Sequence, residues 1–227
     1  MKDNTKNEKS LQHFKMLWQR YGTIGIFLLL IIILTIIKPS AVFTPSSIVQ
    51  ILRQSAVNIL LSLGEFFAIL IAGIDLSVGA VAGLTGMIAA KLMVAGIPVG
   101  AAIFVCILAG TAIGWINGTL VNKTGLHPFI ITLGTQSIFF GIMLVVSNSR
   151  NVFGFPASFS TLMNASFLFV PVPVVIALVV ALFCWFFTVK TKAGRNIYAL
   201  GGDIQSAWFS GVNVDLHRLI VFMISGT

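Results

Sequence analysis

Three polar residues interrupt the apolar run from Ala56 to Ala72. Asn58, Ser62 and Glu65 are spaced four and three residues apart, which places them on one face of a helix. A polar group in an apolar surrounding costs several kcal/mol unless it has a partner. This face should therefore point to the interior of a helix bundle or to a wet path, and all three residues are candidates for contact with a polar substrate.

A second polar cluster lies in the run from Phe129 to Ser147. Thr132, Thr135 and Gln136 supply hydrogen-bonding groups within this apolar stretch. Two interpretations remain open for them. The side chains line a path for a polyol substrate, or they form hydrogen bonds that hold one helix to another.

Asp75 lies in the segment GIDLSVG, which runs from Gly73 to Gly79. An acid flanked by glycine and followed by serine predicts a break between two helices. Asp75 can cap the second of them, a contact that stabilises a helix by about 1 kcal/mol. The alternative role is a gating or substrate contact.

The sequence offers no catalytic machinery and no metal site. Cys106 and Cys184 stand alone in separate apolar runs, and His13, His127 and His217 have no metal-ligand spacing. A phosphate-binding GxxxxGK[ST] loop, an HExxH pair and a GxSxG elbow are all missing from the sequence. We predict no catalytic residue, no metal and no cofactor, so any ATP would be hydrolysed by another subunit.

The elements that position these residues are membrane-spanning helices. Of the 227 residues 57% are hydrophobic and only 9% are charged, against roughly a quarter charged in soluble domains. We predict an all-α, polytopic membrane helix bundle with six spans: Thr23 to Ile37, Ala56 to Ala72, Leu76 to Ala95, Pro98 to Val121, Phe129 to Ser147 and Pro171 to Val189. A seventh span starts near Leu219 and is too short to cross a bilayer about 30 Å thick, so we expect a C-terminally incomplete permease domain that cannot form a closed pathway by itself.

Basic residues set the predicted orientation, because Lys and Arg near span ends stay in the cytoplasm. With the N-terminus inside, ten of the 14 Lys and Arg residues lie on the cytoplasmic side. The other four are Lys38, Arg53, Lys91 and Arg150. We predict a cytoplasmic tail at residues 1–21, a transmembrane domain at 22–227 and a location in the bacterial inner membrane. The net charge is +8, but the basic residues flank apolar runs instead of clustering on one soluble face. This distribution argues against nucleic-acid binding.

Small residues distinguish inner from outer helices. Gly79 and Gly83 in the third span, and Gly110, Gly114 and Gly118 in the fourth, are each four residues apart. Such spacing permits close helix packing. We predict that these two spans lie inside the bundle, while the first and sixth face lipid.

Residues 190–218 form the longest polar segment after the tail, and we predict that they are a cytoplasmic loop. Gly194 to Gly202 is expected to be a short strand or helix that ends in flexible glycines, and Asp203 to cap a short helix from Ile204 to Phe209. The adjacent aromatics Trp208 and Phe209 suggest a protein-docking surface or an anchor in the lipid headgroups.

Four ordered motifs carry a family resemblance. They are Ala72 to Gly79 (AGIDLSVG), Gly114 to Gly118 (GWING), Pro128 to Gly134 (PFIITLG) and Gly194 to Gly202 (GRNIYALGG) with Ala207 and Ser210 to Asn213 behind it. Together they resemble the permeases of ribose, xylose, arabinose and galactoside type ATP-binding-cassette (ABC) importers, a group that also includes autoinducer-2 permeases.

The resemblance implies a homodimer or pseudo-dimer of permeases in the lipid bilayer, a cytoplasmic ABC ATPase and an extracytoplasmic sugar-binding protein. It implies import of a monosaccharide, a pentose or a hexose, driven by ATP. The loop from Thr191 to Asn213 would contact the ATPase. Its candidate coupling residues are Gly194, Arg195, Tyr198, Gly201, Gly202, Asp203, Ala207, Trp208, Ser210 and Gly211.

Three positions depart from the family pattern. Asp203 stands where the family usually has Asn, Trp208 stands where a basic residue is common, and Glu65 is unusual at its position. Two other functions stay open at this point. In an ion-coupled secondary transporter Glu65 or Asp75 would bind a proton or Na⁺, and a non-transporting membrane scaffold would only recruit partners through its loop.

Overall fold

A computed structural model describes residues 2–39, 44–167 and 170–227 of the chain. Its helices are α1 (Lys2–Ile37), α2 (Pro45–Leu70), α3 (Val78–Val94), α4 (Val99–Thr124), α5 (Pro128–Ser147), α6 (Ala157–Asn164), α7 (Val172–Lys190), α8 (Lys192–Gly202), α9 (Ile204–Phe209) and α10 (Val214–Gly226). The chain divides into two compact units, residues 1–52 and 53–227. The all-α class predicted from composition is confirmed.

The first unit contains α1 and the start of α2. α1 includes both the predicted tail and the first predicted span, since the helix continues without a break from Lys2 to Ile37. Large apolar side chains between Ile24 and Ile37 are exposed along this helix. Exposed Ile and Leu on a helix of this composition suit contact with lipid.

Three helices of the described residues are long and apolar enough to cross a membrane, namely α4, α5 and α7. Residues Tyr21–Ile37 and α3 are shorter apolar helices. α7 exposes Leu182, Phe183 and Trp185, as a lipid-facing sixth span should. These helices support the predicted membrane bundle.

Two helices begin earlier than their apolar runs. α2 begins at Pro45 rather than Ala56, and α10 at Val214 rather than Leu219. The side chain of Asn213 accepts a hydrogen bond from the Leu216 amide at 2.9 Å and so caps α10. A polar first turn can be helical when it is capped, and hydropathy alone does not reveal that.

The core of the second unit forms where α10 packs against α4. An added Cβ at Gly114 would overlap the carbonyl oxygen of Phe222, and one at Gly110 would overlap that of Gly226. The glycine face of α4 therefore lets the two backbones touch. On α3, Gly83 lies against Met143 of α5, but Gly79 has open space beside it. The glycine spacing of α4 thus predicted a packing face, but it did not predict that α10 would be the helix packed against it.

Between α5 and α7 the chain forms α6 and a two-residue antiparallel pairing, β1 (Ser166–Phe167) with β2 (Val170–Pro171). Arg53 of α2 donates to the side-chain oxygen of Asn164 at 2.7 Å and to its carbonyl at 3.2 Å. This contact ties the end of α6 to α2.

Candidate functional site

The break predicted at Asp75 lies between α2 and α3, and we call residues 71–77 the α2–α3 loop. α2 ends with Ala72 in the left-handed region at φ +56°, and the Gly73 amide donates back to the Ala68 carbonyl at 2.9 Å. This is the helix-ending pattern in which glycine is the usual left-handed residue. The chain then turns inward, and Asp75 is only 4% exposed.

The Asp75 carboxylate receives three hydrogen bonds. Its Oδ1 accepts from the Ser77 amide at 3.0 Å and from the Ser77 hydroxyl at 2.6 Å. Its Oδ2 accepts from the Ser225 hydroxyl of α10 at 2.7 Å. A buried carboxylate needs such donors to offset its lost hydration. Asp75 holds the turn just before α3, close to the predicted cap, but the donors lie at Ser77 and Ser225 and not inside the first turn of α3.

Glu65 reaches the same loop from α2. Both of its carboxylate oxygens lie 3.2 Å from the Asp75 amide nitrogen, which donates to them. Glu65 is half-buried. The two acids predicted as candidates therefore belong to one cluster, and the contact between them runs through the backbone of Asp75.

Thr132 of α5 holds the loop from another side. Its hydroxyl accepts from the Leu76 amide at 3.1 Å and donates to the Ile74 carbonyl at 3.1 Å. Thr132 is fully buried, and these bonds satisfy two partly buried backbone groups of the loop. These bonds join α5 to the α2–α3 loop rather than to another helix, and the role of Thr132 in a substrate path stays a prediction.

The other predicted path residues lie apart from this cluster. Thr135 is buried with its hydroxyl bonded to the Thr132 carbonyl of its own helix at 3.3 Å, and Gln136 is half-buried. Asn58 and Ser62 are exposed on α2. The structure thus brings together Glu65, Asp75 and Thr132, but not the rest of the predicted set.

Three members of the cluster, Ser77, Asn117 and Ser225, were not predicted as site residues. Asn117 of α4 is buried and donates from Nδ2 to the Ser77 hydroxyl at 2.8 Å, while its Oδ1 is buried without a hydrogen-bond partner. Ser225 of α10 binds Asp75. The signal for Asn117 was visible, since it is a lone amide in an apolar run and part of the GWING motif. Ser225 carries no comparable local signal.

The predicted cytoplasmic loop contains α8 and α9. A short strand or a helix was predicted for Gly194 to Gly202, and the structure has a helix at residues 192–202. The Thr191 hydroxyl caps it by accepting from the Gly194 amide at 3.0 Å. Gly201 and Gly202 are the last two residues of this helix, which ends in glycines as predicted. An added Cβ at Gly201 would overlap the Leu70 carbonyl oxygen, so Gly201 is where α8 touches the end of α2.

The predicted helix from Ile204 to Phe209 is confirmed, with Asp203 as its cap. Asp203 Oδ1 accepts from the Ser206 amide at 2.6 Å. Hydrogen bonds from the side chain and then the backbone of Ser206 lower the pKa of Asp203, because they favour the ionised carboxylate. Ala207 is buried, whereas Trp208 and Phe209 are 63% and 79% exposed.

The other candidate coupling residues surround this helix. Arg195 is exposed and Tyr198 is half-exposed on α8. The Ser210 hydroxyl donates to the Ser206 carbonyl at 2.8 Å, and Gly211 takes φ +81° in the turn that follows α9. Trp208 borders two grooves. The larger, of about 510 Å³, is lined by Trp208, Gly211, Val212, Asn213, Val214 and Asp215.

Comparison with known proteins gives one family match and several curated relatives. The family described as "Branched-chain amino acid transport system / permease component" matches residues 47–227. The D-allose transport system permease protein AlsC of Escherichia coli K12 is 51% identical over 97% of this chain and 68% of its own length. No solved structure matches the chain.

Two further relatives are named for other sugars. The ribose import permease protein RbsC of Haemophilus influenzae is 38% identical over 100% of this chain and 70% of its own. The galactose/methyl galactoside import permease protein MglC of Salmonella typhimurium is 31% identical over 97% of this chain and 70% of its own.

Proposed function

Because the chain belongs to the family of transport-system permease components, we propose that it is the membrane permease of an ABC importer for a monosaccharide. The observation that carries this is the 51% identity to a D-allose permease over 97% of the chain. Relatives at lower identity are named for ribose and galactose, which supports a pentose or hexose as cargo. ATP hydrolysis lies in a partner subunit, and the relatives give no support to an ion-coupled transporter or a scaffold.

The sugar path is proposed to run along the polar face of α2. Asn58 and Ser62 are exposed there, whereas Glu65, about one turn further along, binds the α2–α3 loop. Exposed amide and hydroxyl groups would be costly against lipid. A second permease copy placed against this face would shield them from lipid and create a hydrophilic path whose amide and hydroxyl groups can bind sugar hydroxyls.

The ATPase is proposed to bind a docking surface formed by Ile204, Trp208, Phe209 and Asp215. Its aromatic rings are in edge contact with centroids 5.0 Å apart and are largely exposed. Large exposed aromatic patches mark interaction sites, and Trp is enriched among residues that dominate binding energy. The grooves on either side of Trp208 offer concave surface to a partner.

The packing of α8 suggests how movement of the ATPase would reach the membrane. Gly201 of α8 touches the Leu70 carbonyl, and Leu70 is the last residue of α2 before the α2–α3 loop. Close-packed backbones move together because they cannot interpenetrate. ATP binding would thus shift α8, displace the loop and change access to the path.

Uptake into proteoliposomes tests this proposal. Vesicles with the assembled importer, ATP inside and the binding protein outside should accumulate labelled D-allose, D-ribose or D-galactose. Labelled leucine is the matched control, since the family description names branched-chain amino acids. Sugar uptake without ATP, uptake abolished by collapsing an ion gradient at constant ATP, or uptake of leucine alone would each refute the assignment.

The orientation is also a proposal, with the N-terminus and the docking surface in the cytoplasm. It is supported by the excess of basic residues on that side. A cysteine introduced at Ser210 should react with an impermeant thiol reagent in inside-out vesicles and not in intact cells. Reaction from outside only would reverse the orientation.

A further inference from the structure

α10 connects two regions that lie far apart in the sequence. Its first residues, Val214 and Asp215, line the larger groove beside Trp208. Ser225, near its other end, binds the carboxylate of Asp75. Between Val214 and Ser225 the helix rises about 17 Å at 1.5 Å per residue. A single helix therefore extends from the docking surface to the buried loop.

The surroundings of α10 favour movement as a rigid body. Val221 and Phe222 are fully buried, and the glycine face of α4 lies directly on the backbone of α10 near Phe222. At the docking end, the His217 ring lies within hydrogen-bond distance of Asn196 of α8, at 3.0 Å, and of the Asn213 carbonyl, at 2.7 Å. These packed groups would pass a displacement of α8 to α10.

At the far end, the contact with the loop is a polar one. The Ser225 hydroxyl binds Oδ2 of Asp75, while Oδ1 is occupied by Ser77. Asp75 is nearly inaccessible to water, so an unpaired Oδ2 would be costly. When α10 moves, the loop either follows or loses this bond.

We propose that Ser225 is a positioning residue, whose hydrogen bond to Asp75 makes the α2–α3 loop follow α10 when the ATPase moves the docking surface. This rests on the proposed function, because it presumes an ATPase partner. Ser225 does not touch the sugar. It determines whether movement at the docking surface reaches the loop.

The test measures the loop in the assembled importer. Cys106 and Cys184 are replaced, and a cysteine is introduced at Ile74, which is 42% exposed and adjacent to Asp75. Its labelling rate is measured with and without a non-hydrolysable ATP analogue. Ser225→Ala should leave ATPase binding and ATP hydrolysis intact but remove most of the nucleotide-dependent change, and lower sugar import about tenfold or more, the factor that corresponds to one hydrogen bond to a charged group.

Ser137→Ala is the matched control, because the Ser137 hydroxyl is exposed and bonds only the Leu133 carbonyl of its own helix. Ser225→Thr keeps the hydroxyl and should keep the nucleotide-dependent change, which a purely volume-filling role would not predict. If Ser225→Ala responds to nucleotide as Ser137→Ala does, or if an assembled Ser225→Thr importer does not respond, the proposal is wrong. If the parent importer binds no ATPase or shows no nucleotide effect, the proposed function itself fails.

Discussion

Replacing Gly114 by alanine should push α10 away from α4. An alanine Cβ at this position overlaps the carbonyl oxygen of Phe222 and lies 2.8 Å from the Cα of Met223, whereas carbon atoms in contact are separated by about 3.5–4.0 Å. Both obstacles are backbone atoms of a helix, so no rotamer change relieves the overlap. Overpacking of this kind costs about 1–3 kcal/mol in the free energy of unfolding.

The matched control is Gly86→Ala in α3, where an added Cβ meets nothing within 4 Å. Both substitutions remove a helical glycine, and the gain in helix propensity, about 1 kcal/mol, is common to both. The difference between the two variants therefore isolates the contact between α4 and α10. At about 2–4 °C per kcal/mol for a chain of this size, the overpacking cost corresponds to a melting temperature about 2–12 °C lower for Gly114→Ala than for Gly86→Ala.

Thermal denaturation in detergent, followed by loss of the monodisperse peak in size-exclusion chromatography, measures this difference. Gly114→Ala should also weaken the coupling between the docking surface and the α2–α3 loop, because α10 would no longer be held at its present distance from α4. If Gly114→Ala is as stable as Gly86→Ala, the close approach of these two backbones is wrong, and with it the rigid support assumed for α10.

Thr132→Val should lower the unfolding free energy by about 1–3 kcal/mol, since it removes two hydrogen bonds to partly buried backbone groups of the α2–α3 loop. Thr132→Ser keeps the hydroxyl and should not have this effect, so equal melting temperatures for the two variants would contradict the contact. Trp208→Ala should weaken ATPase binding about thirtyfold or more, as expected for an aromatic anchor. Phe153→Ala is the control, since this side chain is 77% exposed in the segment after α5, and it should not weaken binding. Equal ATPase binding by the two variants would show that Trp208 does not lie in the interface. Because the pKa of Asp203 is lowered from its ordinary value of 3.8 in the folded loop, its contribution to the stability of α9 is present above that value and is lost as the pH falls through the lowered pKa. Hydrogen exchange of the Ser206 amide should accordingly lose protection only below about pH 4, and protection lost near neutrality would refute the cap.

Local features of the chain could be predicted from the sequence. Asp203 and the helix from Ile204 to Phe209 are confirmed because a cap and the amide that it binds lie within one turn of each other. α5 likewise begins at Pro128 within one turn of its cap, since the His127 side chain accepts from the Phe129 amide. The four family motifs led to the sugar-permease assignment because each was recognisable as a contiguous string.

Features that depend on distant partners could not be predicted. Ser225 is 150 positions from Asp75, and Asn117 is 40 positions from Ser77. The spacing of Asn58, Ser62 and Glu65 predicted one common polar face on α2. In the structure Glu65 binds the α2–α3 loop, while Asn58 and Ser62 are exposed. A helical period assigns residues to a face, but it does not say what lies opposite that face.

The sequence by itself determined that this chain is a helical membrane protein, because apolar runs of about 20 residues can pair their backbone groups within a bilayer only as helices. The resemblance to permeases came from the four motifs and not from this pattern. Only the tertiary structure decided which side chains complete the buried hydrogen bonds around Asp75. A buried carboxylate must find donors wherever the fold brings them. Here the fold brings a serine from the end of α10, and the helix that carries it begins at the docking surface.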